Sequence, residues 1–368
     1  MDNILIYYGS RKKFNDLLPA KYRNLTDLVY EADKDNKTIK LSIPTQDGQY
    51  SKEEEKKIYV ENFVISSDEY SGVREHVIIN FINFLANFDV DNLYLHNPPL
   101  QISEQIARLY PDVQIKHQEY ASLNLQHLID FNTKYSEKII GQENAKYDLL
   151  QALFPLTMDY RTKPVVILLY GKSGIGKTES AKYISEIIGE PIFRKQFSMF
   201  QNNQFSTYLF GGAHYEKSFA KDLLDRESNV LLLDEFDKAH SSFHSAFYQL
   251  FDEGIYEDQN YHLELKKSII ICTSNYTDLK DIEEQLGSAI YNRFDKIIYF
   301  NDLDAKAKIE IGKKVFDDLS KLYGEALDSL TVQRLEESYL KCENVRQIQH
   351  LIENTFALTS ILKEIESK

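Results

Sequence analysis

An α/β fold, with a parallel sheet flanked by helices, is predicted for residues 139–303 from three apolar runs. The run VVILLY (165–170) leads through a glycine loop into a helical pattern. Two more runs, NVLLLD (229–234) and SIIICT (268–273), are equally continuous and end in polar residues. A strand covered by helices on both faces reads as such a continuous run, which is typical of a parallel sheet. From about residue 305 the pattern is helical instead, which predicts a helical C-terminal region.

A second, smaller α/β domain is predicted in the N-terminal part of the chain. NILIYY (3–8), NLYLH (92–96) and the stretch DVQIKH (112–117) have the length and composition of strands. Residues 74–88 and 98–110 repeat apolar side chains at spacings of three and four, as one face of a helix requires. These patterns predict alternating strands and helices but do not fix the order of the strands.

The patterns divide the chain into four regions. They are an N-terminal α/β domain (1–120), a helical connector (121–138), the larger α/β region (139–303) and the helical region (304–368). Within the last region, short breaks are predicted near Leu330 and Thr331 and near Glu343 and Asn344. The charged run KEEEKK (52–57) is interpreted as a solvated loop or helix end.

Composition and charge favour a globular protein that does not bind nucleic acid. The 368 residues are 43% apolar and 12% aromatic, which argues against disorder. The formal net charge is -14, and no stretch clusters lysine and arginine as the neutralisation of nucleic-acid phosphates requires. Protein or small-molecule partners are therefore favoured over DNA or RNA.

Neither the cysteines nor the N-terminus indicates a secreted or membrane protein. Cys272 and Cys342 lie far apart without CxxC spacing, so neither a disulfide framework nor a zinc site is predicted. The first residues, MDNILIYY, begin with an acid and lack a cleavage site, and they are interpreted as a strand. No run reaches the 18 apolar residues expected of a membrane-spanning helix. A cytoplasmic location and no membrane contact are predicted.

The segment GKSGIGKT (171–178) fits the phosphate-binding loop of P-loop NTPases. Glycines let backbone N–H groups surround phosphates, the following helix directs its positive end toward them, and the lysine adds a formal charge. The hydroxyl of Thr178 is predicted to bind Mg²⁺. The predicted nucleotide-binding residues are Gly171, Ser173, Gly174, Ile175, Gly176, Lys177, Thr178 and Glu179. The alternative is a glycine turn without a ligand.

Polar residues at the ends of the next two strands predict the rest of a hydrolytic site. Asp234 ends one strand, where its carboxylate can hold the Mg²⁺ shell, partly through water, and Glu235 can take a proton from the attacking water. Asn275 follows the other strand and can orient that water. Ligands of open α/β sheets bind at the carboxyl ends of the strands, so these residues are expected to lie together.

With these strands placed, residues from 139 to about 355 resemble the AAA+ ATPases, and specifically the Clp-type unfoldases. LLLDEFDKAH (231–240) is very close to the Clp form of the acidic motif, and residues 248–275 follow the Clp pattern from one strand to the next. The resemblance implies ATP and Mg²⁺ as ligands, a C-terminal helical lid and a ring-shaped homo-oligomer, expected to be a hexamer. The resemblance does not extend to the N-terminal domain, which is expected to recruit a protein partner by analogy with the appended domains of related machines.

The same resemblance implies further site residues. IIGQENA (139–145) is similar to the segment that lines the adenine pocket, which implicates Ile139 and Ile140; two core isoleucines before a turn are the alternative. AIYNRFDKIIYF (289–300) is similar to the arginine-finger segment, which directs Arg293 to the γ-phosphate on a neighbouring subunit. An ion pair with Asp295 or Asp302 is the alternative for this arginine.

Arg346, in ENVRQIQHLIEN (343–354), corresponds to the family's nucleotide-sensing arginine of the lid. The family carries Gly-Ala-Arg-Pro there, whereas this chain keeps only the arginine. The alternative is an ordinary exposed arginine on a helix.

The segment LFGGAHYEKSFAKDLL (209–224) occupies the place of the family's substrate-gripping pore loop but is shorter and lacks its aromatic-glycine tip. Phe210 and Tyr215 are the candidate substrate contacts. For Tyr215 the alternative is an aromatic residue that packs at a helix start on its own subunit. A Gly-Phe loop for docking a peptidase is also not found. Torsins, which are Clp-like ATPases, lack the aromatic pore loop as well.

Two functions follow from the sequence. The first is an ATPase that couples hydrolysis to the remodelling of a protein partner through a ring. The second is a nucleotide-controlled switch or regulatory binding module that does not thread or unfold its partner, which the shortened pore segment favours.

Overall fold

The computed structural model describes residues 1, 3–37, 57–199, 205–324 and 327–366. Its strands are β1 (Asn3–Tyr8), β2 (Arg23–Asn24), β3 (Ile58–Ile65), β4 (Phe88–His96), β5 (Gln114–His117), β6 (Val165–Tyr170), β7 (Phe193–Gln196), β8 (Val230–Asp234), β9 (Ile255–Glu257), β10 (His262–Glu264), β11 (Ile269–Thr273) and β12 (Lys296–Tyr299). Residues 52–56 of the charged run KEEEKK lie outside the described residues.

The helices alternate with these strands in the first two thirds of the chain and then follow one another. They are α1 (Arg11–Asn15), α2 (Leu25–Lys37), α3 (Glu75–Ile79), α4 (Phe81–Leu85), α5 (Leu100–Leu109), α6 (Leu125–Lys138), α7 (Glu143–Leu153), α8 (Lys177–Ile188), α9 (Ser206–Phe210), α10 (Phe219–Leu224), α11 (Tyr248–Glu253), α12 (Leu279–Leu286), α13 (Ser288–Tyr291), α14 (Ala305–Tyr323), α15 (Ser329–Tyr339) and α16 (Val345–Glu366).

The chain forms two compact units, and the first contains more than the N-terminal region. Unit 1 consists of Met1–Tyr120 together with two later segments, Asn203–Glu227 and Tyr256–Leu263. Unit 2 consists of Ala121–Asn202, Ser228–Ile255 and Glu264–Lys368. The segment 209–224 is therefore part of unit 1.

Unit 1 is built on a five-stranded parallel sheet with the order β2-β3-β4-β1-β5. The sheet buries Ile6, Phe63 and Leu95 almost completely, and α5 covers it with Ile102 and Ile106. Polar residues follow β1, β4 and β5 at one edge, as expected of parallel strands that end together.

The single helix predicted over residues 74–88 is wrong. The chain forms two short helices, α3 and α4, and then enters β4 at Phe88. Asn80, between the two helices, has φ -117° and ψ 43°, outside the helical region, and its side-chain amide donates to the carbonyl oxygen of His76 at 3.3 Å. Asparagine competes in this way with the helical backbone, which explains the interruption.

Unit 2 is built on a second five-stranded parallel sheet with the order β12-β6-β11-β8-β7. Every residue of β8 and β11 is buried. The pairing sets Thr273 opposite Leu169 and Asp234 opposite Gln196, so the strands end at one common edge. Helices cover this sheet, which confirms the predicted α/β fold with a parallel, helix-flanked sheet.

The C-terminal part is helical as predicted, but one of the predicted breaks is misplaced. Leu330 and Thr331 lie in the first turn of α15, where their N–H groups donate to the Asp328 carboxylate at 3.0 and 2.9 Å. The break therefore lies before α15 rather than within it, because the Asp328 N-cap satisfies the N–H groups of the first turn. The second break, between α15 and α16, includes Glu343 and Asn344 as predicted.

Among the described residues, we find no helix with the length and apolar character needed to cross a bilayer.

Candidate nucleotide site

A glycine loop joins β6 to α8 in a conformation that only glycine adopts easily. Gly171, Gly174 and Gly176 have φ values of 130°, 75° and 112°. A Cβ atom on Gly171 would lie 2.6 Å from the carbonyl oxygen of Phe300, so a side chain is excluded there by contact as well. The loop ends at the N-terminus of the 12-residue helix α8. This geometry suits a phosphate group, because the N–H groups at the start of a helix and the helix dipole point at the same place.

Lys177 begins α8 and its ammonium group lies against the loop itself. Nζ donates to the carbonyl oxygens of Gly171 and Lys172, each at 2.6 Å, and to Oδ1 of Asn275 at 3.2 Å. Burial lowers the pKa of Lys177 to about 8, although Asp234 nearby acts in the opposite direction. The structure thus brings together Lys177 and Asn275, which the sequence predicted as neighbours.

One hydroxyl group of β11 holds Asp234, the last residue of β8, and Glu235, which follows it. Oγ1 of Thr273 donates to Oδ1 of Asp234 at 2.5 Å and accepts from the N–H of Glu235 at 2.9 Å. Glu235 has a φ of 54°, which turns the chain sharply after the strand. Asp234 is buried, whereas Glu235 is half-buried. Both carboxylates line the same cavity, Asp234 from a buried position and Glu235 from a half-buried one.

Strand β7 supplies partners for both acids, and the sequence analysis missed them. Nε2 of Gln196 donates to Oε2 of Glu235 at 3.0 Å, and Arg194 forms an ion pair with Oδ2 of Asp234. Hydrogen bonds from Ser198 and Gln196 lower the pKa of Glu235, which keeps it a carboxylate at neutral pH. The one sequence signal for this arrangement is the two-residue spacing of Arg194 and Gln196 in FRKQ, which places both side chains on one face of a strand.

These groups surround a cavity of about 520 Å³ between the carboxyl edge of the sheet and helices α14 and α16. The predicted residues that line it are Ile139, Ile140, Ser173, Gly174, Ile175, Gly176, Lys177, Thr178, Glu179, Asp234, Glu235, Asn275 and Arg346. Gly171 contributes through its carbonyl oxygen, which Lys177 contacts. Thr273, Lys314 and Gln349 also line the cavity, and nothing in the sequence analysis singled them out.

The segment after α6 forms one wall of the cavity. Ile139 is buried, and its Cγ2 atom lies 3.0 Å from where a Gly176 Cβ would stand. Gln142 fixes this wall, because its amide donates to the carbonyl oxygens of Ile175 and Asn301 at 3.2 and 2.9 Å and accepts from the N–H of Asn301 at 3.0 Å. Gln142 is a positioning residue that the IIGQ spacing did not reveal.

The N-terminus of α16 contacts the glycine loop directly. The N–H of Val345 donates to the carbonyl oxygen of Gly174 at 3.0 Å, and the Asn344 side chain lies 3.2 Å from where a Gly174 Cβ would stand. Arg346, in the first turn of this helix, is exposed and lines the cavity. These contacts join the helical region directly to the glycine loop.

Arg293 is not among the described residues that line this cavity. Its Nε donates to Oδ2 of Asp252 at 2.7 Å, and its guanidinium group lies 4.4 Å from the centre of the Tyr248 ring. The acids named above as alternative partners are paired elsewhere, Asp295 with Arg161 and Asp302 with Lys172. The structure therefore separates Arg293 from the site residues of its own chain.

Phe210 and Tyr215, the candidate substrate contacts, lie in unit 1, with exposed fractions of 44% and 62%. Between them the chain turns at Gly211, which has a φ of 85°. The N–H of Gln259 donates to the carbonyl oxygen of Phe210 at 3.2 Å, and Nδ2 of Asn260 donates to that of Gly212 at 2.8 Å. These bonds hold the turn against residues 256–263, which belong to the same unit.

The residues of the cavity fit a nucleotide with its metal ion. Glycines allow the loop its left-handed backbone conformation beside the start of α8, and Lys177 supplies a cation at the same place. Thr178 and Asp234 line the same cavity with a hydroxyl and a carboxylate, which are the oxygen ligands that Mg²⁺ prefers. Asp234 is held so that one oxygen already faces a cation, the Arg194 guanidinium.

The lowered pKa of Lys177 predicts that ATP binds less tightly as the pH rises above about 8. Below this pH the ammonium group is charged in the free protein. Above it, binding the phosphates requires proton uptake, so the affinity is expected to fall by up to about tenfold per pH unit. Titration of a fluorescent ATP analogue from about pH 7 to about pH 9.5 measures the effect. In Lys177→Arg, whose guanidinium group does not titrate, the affinity should be level; a level profile in the wild type would contradict the prediction.

Comparison with known proteins agrees with this geometry. Residues 162–323 match a family described as AAA domain (Cdc48 subfamily). The chaperone protein ClpB of Malacoplasma penetrans is 30% identical over 226 residues, which are 53% of this chain and 32% of that protein. The chaperone protein ClpB 2 of Parasynechococcus marenigrum is 26% identical over 281 residues, covering 64% and 31%.

A third relative is the ATP-dependent Clp protease ATP-binding subunit ClpE of Bacillus subtilis, which is 26% identical over 261 residues, covering 62% of this chain and 36% of that protein. The chain thus aligns with about a third of the length of these relatives. The family match, these similarities and the converging site residues agree with one another. Residues 162–323 are thus similar in sequence and in site geometry to an AAA domain, and the chain as a whole resembles Clp-type AAA+ proteins.

Proposed function

We propose that this chain binds ATP with Mg²⁺ and hydrolyses it to ADP and phosphate. The observation that carries the proposal is the convergence of Lys177, Asp234, Glu235 and Asn275 around the cavity beside the glycine loop. These residues come from α8 and from the ends of β8 and β11, so only the fold brings them together. The similarity to Clp chaperone ATPases supports the same conclusion.

Each residue has a distinct part in the proposed reaction. Glu235 accepts the proton of the attacking water, and its lowered pKa keeps it ready as a carboxylate at neutral pH. Asn275, whose Oδ1 lies 3.2 Å from Nζ of Lys177, orients that water. Lys177 stabilises charge on the phosphates. Mg²⁺, held by Thr178 and Asp234, would neutralise developing negative charge.

Arg293 acts in trans in this proposal. Its guanidinium group lies outside the cavity of its own chain and pairs with Asp252 at a partly exposed position. Hydrolysis then requires an assembly in which each chain completes the site of the next. We propose a homo-oligomeric ring, a hexamer by similarity to Clp-type proteins, that uses this hydrolysis to remodel a protein partner. Residues 1–120 are the proposed recruiting domain, residues 121–138 the connector to the ATPase core, and residues 304–368 the lid.

A nucleotide-controlled switch is the second candidate, and the contacts of segment 203–227 favour it. The carbonyl oxygen of Val73 accepts from Nε2 of His214 at 2.9 Å, and the N–H of Arg11 donates to Oδ1 of Asp225 at 2.7 Å. The Arg226 guanidinium group lies 4.3 Å from the centre of the Tyr120 ring. A segment with these contacts is anchored within unit 1, whereas a substrate-gripping loop has to move.

Residues of the two later segments of unit 1, 203–227 and 256–263, also occupy the carboxyl edge of the N-terminal sheet. After β1, the N–H of Arg11 donates to the carboxylate of Asp225. After β4, the N–H of Leu100 donates to the carbonyl oxygen of Asn260. After β5, the ring of Tyr120 lies against the guanidinium group of Arg226. Open α/β sheets bind their ligands at this edge. Because the chain fills it with its own residues, a protein partner of unit 1 is expected to bind elsewhere on the unit.

Imaging the purified protein with a slowly hydrolysed ATP analogue and an unfolded polypeptide separates the two functions. We expect rings whose axis holds no polypeptide, because the segment at the pore-loop position is anchored. Polypeptide in the axis, together with its loss in Tyr215→Ala, would show threading and contradict the switch. Retained biological activity in Glu235→Gln, with loss in Lys177→Ala, would favour the switch over a motor. Particles without rings at any protein concentration would contradict the proposed assembly.

A further inference from the structure

Strand β7 lies beside β8 and directs two side chains at the two acids that end β8. Arg194 lies opposite Leu232 and Gln196 opposite Asp234, and side chains two residues apart on a strand share a face. From Gln196 the amide reaches Glu235, while the longer Arg194 reaches two residues along β8 to Asp234. The predicted metal ligand and the predicted base are therefore both in contact with β7.

Asp234 has a partner on each carboxylate oxygen. Oδ1 accepts from the Thr273 hydroxyl at 2.5 Å, and Oδ2 accepts from Nε of Arg194 at 3.1 Å and also from Nη2 of Arg194. The Asp234 side chain is 9% exposed, whereas that of Arg194 is 43% exposed. A buried carboxylate needs such a counter-ion, because charge without a partner is costly to bury. The arginine, which is partly solvated, can leave at lower cost.

We propose that Arg194 is a positioning residue that neutralises Asp234 in the nucleotide-free site and thereby sets how strongly ATP binding depends on Mg²⁺. This inference rests on the proposed function, because it uses Asp234 as part of the metal site. Arg194 and a divalent cation require the same oxygen of one carboxylate and repel each other, so the guanidinium group has to move away when Asp234 serves the metal.

The cavity offers the released guanidinium group a second anion. Arg194 lines the same cavity as Lys177 and Thr178, where the phosphates are predicted to bind. Guanidinium groups bind phosphate oxygens through two parallel N–H groups, in the way they bind carboxylates. Without metal, Arg194 stays at Asp234 and offsets the repulsion between that carboxylate and the phosphates, whereas a metal has to displace it, so its charge favours ATP without metal and opposes the metal at Asp234.

The test compares ATP affinity with and without metal in the full chain. A fluorescent ATP analogue is titrated into wild type and Arg194→Gln, once in saturating MgCl₂ and once in excess chelator. The ratio of the two affinities is expected to rise by about tenfold in Arg194→Gln, as the loss of a charge-assisted hydrogen bond implies. Arg194→Lys keeps a charge without the paired N–H groups, so its ratio should lie between those of the wild type and Arg194→Gln. This variant also tests the proposal if Arg194→Gln does not fold.

Two controls make the result specific. Lys182 also lines the cavity but pairs with Glu179, so Lys182→Gln should weaken binding in both conditions and leave the ratio unchanged. In the Asp234→Asn background, Arg194→Gln should no longer raise the ratio. A ratio that is unchanged or lower in Arg194→Gln, with binding intact, overturns the proposal. Wild type that binds no ATP in either condition would instead overturn the proposed function.

Discussion

Replacing Glu235 by glutamine is expected to leave ATP binding intact and to lower ATP turnover by about 10²–10⁴-fold, the usual contribution of a general base. Glutamine has the shape of glutamate, so the contact with Gln196 and the backbone bond to Thr273 need not change. An amide, however, takes no proton from water at neutral pH. Binding is measured with a fluorescent ATP analogue, and turnover is measured as phosphate release.

The matched control for this variant is Glu283→Gln. Glu283 is an exposed glutamate of α12 that does not line the cavity, so its replacement changes the net charge equally without touching the site. We expect wild-type turnover in Glu283→Gln. Unchanged turnover in Glu235→Gln would remove Glu235 from the role of base, and lost binding would indicate that Glu235 shapes the cavity instead.

Arg293→Ala is expected to lower ATP turnover by about 10³–10⁵-fold, the effect typical of an arginine finger, without weakening ATP binding. The expectation rests on position: the guanidinium group lies outside the cavity of its own chain and pairs with Asp252. As a partly exposed ion pair within one chain, the same arginine would contribute only about 0–1 kcal/mol to stability. The size of the loss of ATP turnover thus distinguishes an arginine finger from an ion pair within one chain.

Mixing variants shows whether Arg293 acts between chains. Lys177→Ala binds no ATP but keeps its own finger, so adding it to Arg293→Ala should restore part of the turnover in mixed rings. Asp252→Asn is the matched control, because it breaks the same ion pair while leaving the arginine, and we expect it to keep turnover. No rescue at matched assembly, or an equal loss in Asp252→Asn, would assign Arg293 to the ion pair within its chain.

The fold of unit 2 was predictable because its signals are local. VVILLY and LLLD are continuous apolar runs, and a helix-covered parallel strand needs this composition. The glycine spacing in residues 171–178 determines the loop that follows β6. The errors were local as well. Asn80 interrupts an otherwise helical pattern, and Asp328 moves a helix start, in both cases through a single side chain bonding to the backbone.

The partners of the site residues were not predictable, because they depend on contacts between strands that lie far apart in the sequence. Thr273 reaches Asp234 only because β11 lies beside β8, and Arg194 reaches it only because β7 lies on the other side. Strand β7, with the sequence FRKQ, has no apolar pattern of its own. The inclusion of residues 203–227 in unit 1 likewise depends on tertiary contacts that no periodicity indicates.

Steady-state ATP turnover of the purified wild type, measured beside Glu235→Gln at a protein concentration where the chain assembles, tests the central claim most directly. We predict phosphate release by the wild type that needs Mg²⁺ and is lost in Glu235→Gln, although both bind ATP. Equal release by the two proteins, or ATP binding by the wild type without any release, would contradict the assignment of this cavity as a hydrolytic site.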